Sequence, residues 1–154
     1  MGIFDKLKDV TNLVTGGSAR VTLEYEPQVA YPGEDIEVRV VVTSTGGQVK
    51  SKGIFVDIKS SERLEVPRHT VTGQESPVNT TYTGFSQELQ IAPAFVLEAN
   101  ETREFSGHVR LPSDAQPTFQ GRYVRHQWSL RGRMEALGND PDSGFLELRV
   151  ASNG

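Results

Sequence analysis

From residue 19 onward the chain changes side at nearly every step. In ARVTLEYEP, Val21, Leu23 and Tyr25 alternate with Thr22, Glu24 and Glu26. In DIEVRVVVTS the apolar side is Ile36, Val38, Val40 and Val42, and in GIFVDIKS it is Ile54, Val56 and Ile58. Period two with β-branched residues on one side is the mark of a strand with one buried and one wet face. Turn formers separate the runs, as at Pro32-Gly33 and Thr45-Gly46-Gly47-Gln48. RLEVP reads as a further short strand, LQIAPAFVLEAN and REFSGHVRLP as two more, and GFLELRVAS as the last. Before it lies a long strand in which Val124, His126, Trp128, Leu130 and Met134 share one side, opposite Arg125, Gln127, Ser129, Arg131 and Arg133. Residues 72–87, TGQESPVNTTYTGFSQ, follow neither period and are expected to form a long loop or an irregular edge. Residues 3–14 differ from all of these. Ile3, Phe4, Leu7, Val10, Leu13 and Val14 recur at steps of three and four, and Gly16-Gly17 follows, which predicts a short amphipathic helix with a glycine stop.

Seven to nine short strands predict an all-β, immunoglobulin-like antiparallel sandwich. An open sheet with this patterning would leave one apolar face in water, so two sheets must pack face to face. The length of 154 residues suits one domain with a core that needs no staples. The expected division is 1–17, helix and glycine turn, and 18–154, a single sandwich.

Composition narrows the function. The chain has no cysteine, which removes disulfides, thiol chemistry and cysteine-ligated metals. A net charge of −4 argues against a general nucleic-acid binder. Charge is uneven, though: residues 107–134 carry five arginines against the single acid Asp114. No apolar run approaches the ~20 residues that span a bilayer, and the N-terminus lacks the apolar stretch of a secretory signal. Lys6 stands where a myristoylation signal needs Ser or Thr. The expected location is the cytoplasm, and Asn79-Thr80-Thr81 and Asn100-Glu101-Thr102 are then loop residues rather than glycosylation sites.

Candidate chemistry is sparse. His69, His108 and His126 do not pair at metal-ligand spacing. His126, beside Trp128 and Leu130, is expected at the rim of the core with a backbone partner. GNDPDSG, residues 138–144, gathers Asn139, Asp140 and Asp142, but it lacks the spaced oxygens and closing glutamate of a calcium loop and reads as a turn. There is no phosphate loop, nucleophile elbow or dinucleotide fingerprint. The expectation is a non-enzyme with no metal and no cofactor.

Two sets of residues resemble the arrestin-like N-terminal domain superfamily. The first is YPGEDIEVRVVV followed by KSKGIFVDIKS, with a tyrosine–glycine–glutamate turn (Tyr31, Gly33, Glu34) leading into an alternating strand and then Gly53-Ile54 in the next. The second is REFSGHVRLPSDAQPTFQGRYVRHQWSLRGRM, with Leu111-Pro112, Pro117-Thr118-Phe119, Gly121 and Trp128 at the family's positions. The start, MGIFDKLKD, looks like the bacterial sporulation-control branch. Together the motifs cover roughly residues 18–151. By this resemblance Pro112 and Pro117 bracket a crossing between sheets, Gly33 and Gly121 need positive φ or no side chain, and Phe119 plugs one end of the sandwich.

The resemblance implies a scaffold or adaptor that binds proteins, with a regulatory role of the sporulation- or stress-control kind. It also exposes a departure: such proteins usually carry two sandwiches, and here there is one, which acts alone or pairs with a second copy as a homodimer. Three surfaces compete for the partner. Ile3, Phe4, Leu7 and Val10 would pack on the sandwich, self-associate, or touch a membrane surface; the last would make the chain a peripheral structural protein. Arg125, Arg131 and Arg133 would hold phosphates or an acidic peptide, or would be a solvated face paired to acids such as Glu24, Glu37 or Glu147. A free sheet edge would accept a strand.

Overall fold

A computed structural model describes residues 18–152; the predicted helix and its residues Ile3, Phe4, Leu7 and Val10 lie outside them. Ten strands form: β1 (Ala19–Glu26), β2 (Val29–Ala30), β3 (Asp35–Ser44), β4 (Val49–Val66), β5 (Val78–Ala92), β6 (Phe95–Leu97), β7 (Thr102–Arg110), β8 (Phe119–Gln120), β9 (Val124–Ala136) and β10 (Leu146–Val150). β2 and β8 are two residues each, so eight strands are longer than that, within the seven to nine expected.

The strands make two sheets. One has the order β1-β3-β7, all antiparallel. The other runs β2-β10-β9-β4-β5, with β6 added to β4 and β8 to β9. Only the β2–β10 pair is parallel among the named ladders. The inner faces meet as the alternation requires. Val21, Ile36, Val40 and Val42 from one sheet and Ile54, Val56, Ile58, Leu130, Met134 and Leu148 from the other are fully buried. At roughly 1.5–3 kcal/mol for each fully buried aliphatic side chain, this interface is the main source of stability.

The turn at Tyr31–Glu34 explains its residues. Glu34 N donates to Tyr31 O at 3.0 Å, Pro32 takes the second position, and Gly33 takes the third with φ 82°. A type II turn needs that positive φ, which glycine adopts without a steric penalty.

Two expectations need correction, and one pair of alternatives resolves. RLEVP is not a separate strand but the end of β4, which runs unbroken for 18 residues. Of the two readings of residues 72–87, long loop or irregular edge, the second holds from Val78 on: these residues are the first half of β5, an edge strand with a register irregularity. Its residues are exposed on both faces, so no alternation exists to be read. Phe119 does not plug the sandwich. It is 51% exposed, and Trp128, at 2%, fills the end instead. Gly121 has no positive φ, but a Cβ there would stand 2.8 Å from the Phe119 ring, so the absence of a side chain is what matters.

Residues 111–118 do cross between the sheets. Leu111 N donates to Glu34 O at 3.0 Å at the start. The indole Nε1–H of Trp128 donates to Gln116 O at 2.7 Å, and Thr118 N donates to Val150 O at 2.7 Å. His126 Nδ1 lies 2.9 Å from Pro117 O; a carbonyl can only accept, so Nδ1 carries the proton. This is the rim histidine with a backbone partner that the sequence predicts.

Candidate partner-binding surface

The arginine row of β9 divides into two environments. Arg125 is exposed and sits opposite Arg63 of β4. Arg131 and Arg133 lie against carboxylates on the outer face of the larger sheet. Arg131 donates to Asp57 Oδ2 from Nε (3.0 Å) and Nη2 (2.8 Å), and its guanidinium stacks 4.6 Å from the Phe145 ring. Arg133 donates to Asp57 Oδ2 (3.0 Å) and Glu135 Oε1 (2.8 Å), pairs with Glu88 Oε2 at 2.5 Å, and lies 4.7 Å from the Phe55 ring. The Arg133 side chain is 10% exposed. Burial works to lower its pKa, but the hydrogen bonds to Glu135 and Asp57 and the charges of Asp57 and Glu88 outweigh it and hold the guanidinium above its ordinary range. An acidic peptide would have to displace these carboxylates.

The acids differ from those expected, because Arg131 and Arg133 pair with β4, while β1 and β3 lie in the other sheet and β10 reaches β9 only at Trp128–Leu130. Glu24 pairs with Arg39, and Glu37 faces His108 at 3.8 Å. Asp140 and Asp142 are occupied as turn caps: Asp140 Oδ1 accepts from Ala136 N at 3.2 Å and Asp142 Oδ1 from Gly144 N at 2.6 Å. No group of three or more His, Asp or Glu among the described residues is arranged to hold a metal ion. No helix among them is long and apolar enough to cross a membrane.

The edges are less even. The flank on which β5 and β6 lie is closed at one end. There Phe95 packs on Phe105 with centroids 4.8 Å apart, Arg103 lies over both rings, and Ile91 fills the space beside Gly107. The first half of β5 has no such cover. Val78–Thr83 pairs with β4 on one side, and every one of these residues is exposed. No strand among the described residues takes its other side. The open ladder ends at Gly84-Phe85, where β5 has two residues against one of β4 and the Phe85 N–H turns in to Ser60 Oγ at 2.9 Å.

A cavity of about 250 Å³ lies on the inner face beside this edge. The register places Tyr82, Glu62 and His126 side by side in one row, with Ser60 and Trp128 in the next. Phe85 packs on Trp128 at 5.7 Å, and the His126 ring meets Trp128 edge-on at 6.1 Å. Asp114 of the crossing segment completes the rim. Among the described residues neither Glu62 nor Asp114 has an ion-pair partner, unlike Glu24, Asp57, Glu65, Glu88 and Glu135. Sequence reasoning missed the cavity, and it named a free edge without saying which strand carries it. The signal for β5 was its β-formers, Val78, Thr80, Thr81, Tyr82 and Thr83.

Comparison with protein-family models gives no match, and comparison with curated proteins gives none. Among solved structures the chain is similar to the crystal structure of Spo0M, the sporulation control protein of Bacillus subtilis. The TM-score is 0.63 at 18% identity, over 87% of this chain and 49% of that one. The chain thus spans about half the length of that relative. At this identity the likeness is one of fold, and with the two-sheet topology it places the described residues in an arrestin-like β-sandwich.

Proposed function

We propose that this chain is a cytoplasmic, non-catalytic protein-binding module, a scaffold or adaptor of arrestin-like type. It takes an extended segment of a partner protein as an added strand along Val78–Thr83. The observation that carries the reading is the unprotected edge. Natural sheets guard open edges with lysine, proline, short strands or a cover. Val78–Thr83 has no charge, no proline and no cover among the described residues. Six residues span ~20 Å, the length of an ordinary strand, so the ladder is long enough for strand addition. A regulatory role of the sporulation-control kind rests on the fold shared with Spo0M.

The partner is a different chain rather than a second copy. A second β5 would bring VNTTYT, which has no cation to set against the unpaired Glu62 and Asp114, and would bring another Glu62.

The test begins with twelve-residue peptides selected from a random display library on the purified protein. Bound peptide is expected to slow hydrogen exchange at the Val78–Thr83 amides, and N-methylation of alternate peptide residues is expected to abolish binding. The proposal is overturned if protection falls elsewhere or N-methylated peptide binds equally well. It is also overturned if sedimentation shows the free protein dimerising through this edge.

A further inference from the structure

We infer that the cavity bounded by Tyr82, Glu62, His126 and Asp114 is a recognition pocket for one cationic side chain, lysine or arginine, of the added strand. The inference rests on the strand-addition reading for its occupant but on separate observations for its chemistry.

Size is the first. At about 250 Å³ the cavity is smaller than the pockets that take drug-sized ligands, and it suits a single side chain. Position is the second. Tyr82 belongs to the open ladder and also lines the cavity. Alternate residues of a strand laid along Val78–Thr83 point to the inner face, and one of them passes over this opening. The third is chemistry. The walls are aromatic, with Tyr82 68% exposed and the Phe85–Trp128 pair behind it. Ring faces attract cations, and arginine also stacks on them. The rim supplies two carboxylates without an internal counter-ion. An acidic side chain would be repelled by that rim, and an aliphatic one would leave both carboxylates unpaired.

His126 and Trp128 do not compete for the ligand. Their donors are spent on Pro117 O and Gln116 O, which holds Asp114 and its segment against β9. The pocket is therefore built before the partner arrives, which lowers the cost of binding.

Trp128 is the only tryptophan, so its indole N–H gives one resolved proton resonance in the floor of the site. The first arm titrates the whole protein with N-acetylarginine methylamide, and with N-acetylleucine methylamide as its neutral counterpart. The arginine probe is expected to shift the indole resonance and the leucine probe to leave it still. The second arm compares edge-binding peptides with Arg, Lys, Leu or Glu at the pocket position. Arg and Lys are expected to bind about tenfold tighter than Leu, the order of one exposed cation–aromatic contact plus one exposed ion pair. Added salt and the double variant Glu62→Gln/Asp114→Asn should both erase the preference. Both changes are at partly or fully exposed positions, and an unchanged spectrum elsewhere shows that the fold is kept.

The outcomes separate the two readings. Edge protection with equal affinity for Arg, Leu and Glu peptides leaves strand addition standing and sinks the pocket. An indole shift with arginine, lost in the double variant, without any edge protection keeps the pocket and sinks strand addition. No indole shift with arginine and no peptide preference overturns the pocket whatever the edge does.

Discussion

Replacing Arg133 by methionine tests whether the arginine row is a surface or part of the structure. The side chain is 10% exposed and bonds three carboxylates. The loss is unequal among them. Glu88, at 58% exposed, rehydrates at little cost, and Glu135, at 31%, largely does so. Asp57 is 13% exposed and keeps only Arg131, so the cost concentrates there. One buried charge-assisted hydrogen bond contributes ~1.5–3 kcal/mol. The stacking on Phe55 at 4.7 Å adds ~0.5–1 kcal/mol. Methionine returns some apolar contact, so the expected destabilisation is about 3 kcal/mol, or ~6–12 °C in Tm for a chain of this size. Arg125→Met, at an exposed position, should stay within ~0.5 kcal/mol. Urea unfolding of the two variants decides the matter. A cycle with Asp57→Asn should give a coupling above ~1 kcal/mol. If Arg133→Met and Arg125→Met unfold alike, the network contributes nothing and Arg133 is as free for a partner as Arg125.

Further consequences follow from single residues. Gly53 has φ 146°, and a Cβ there would stand 2.8 Å from Ala92 O, so Gly53→Ala should cost ~1–3 kcal/mol in thermal unfolding. Gly47→Ala, with nothing within 4 Å, is the matched control and should be neutral. Burial, then the charge of Glu147, raises the pKa of Tyr25, whose hydroxyl donates to Glu147 O at 2.5 Å. A raised folded pKa means that this stability is complete below the unfolded value of ~10 and is lost as pH rises through the folded value. The stability of Tyr25→Phe should therefore fall less steeply in alkali than that of the parent, and identical slopes refute the assignment. Trp128→Phe leaves Gln116 O without its donor and should cost ~1–3 kcal/mol. Hydrogen exchange should then quicken in residues 112–118 while β1 and β3 stay protected.

Most of the sandwich was legible because its strands face two solvents. β3 reads as alternating exposed and buried because Ile36, Val38, Val40 and Val42 meet the other sheet while Glu37 and Arg39 meet water. The crossing at Pro112–Pro117 was legible because proline cannot donate to a ladder. Pattern fails where burial is not a matter of facing the core. Arg133 stands on the wet side by period, and what buries it is Phe55 and three acids from β4, β5 and its own strand. That depends on register between strands distant in sequence, which a single chain does not display. Phe119 failed for the reverse reason. It is a large aromatic at a position that the crossing segment leaves outside, and its apolar character alone pointed inward.

The hidden half of β5 and the proposed binding edge are the same residues for the same reason. A strand is recognised in sequence when one face must be apolar, and a face must be apolar when it packs on something within the molecule. Val78–Thr83 pairs with no strand of the three-stranded sheet, and each of its residues is exposed. With both faces and one edge wet, selection for folding leaves the side chains threonine, asparagine and tyrosine. Backbone pairing with β4 still makes it a strand, because β-propensity and the ladder suffice once one neighbour is fixed. A segment that contributes so little to the core has no folding reason to remain six exposed residues long, uncharged and ordered along β4. Asn79→Lys and Thr83→Lys place guarding charges at two exposed positions of this edge and leave intact the β4 stretch Ser61–Leu64, which also pairs with β9 at Val124–Gln127. The double variant should keep its Tm within a few degrees and lose peptide binding, whereas loss of the fold would make this overhang structural.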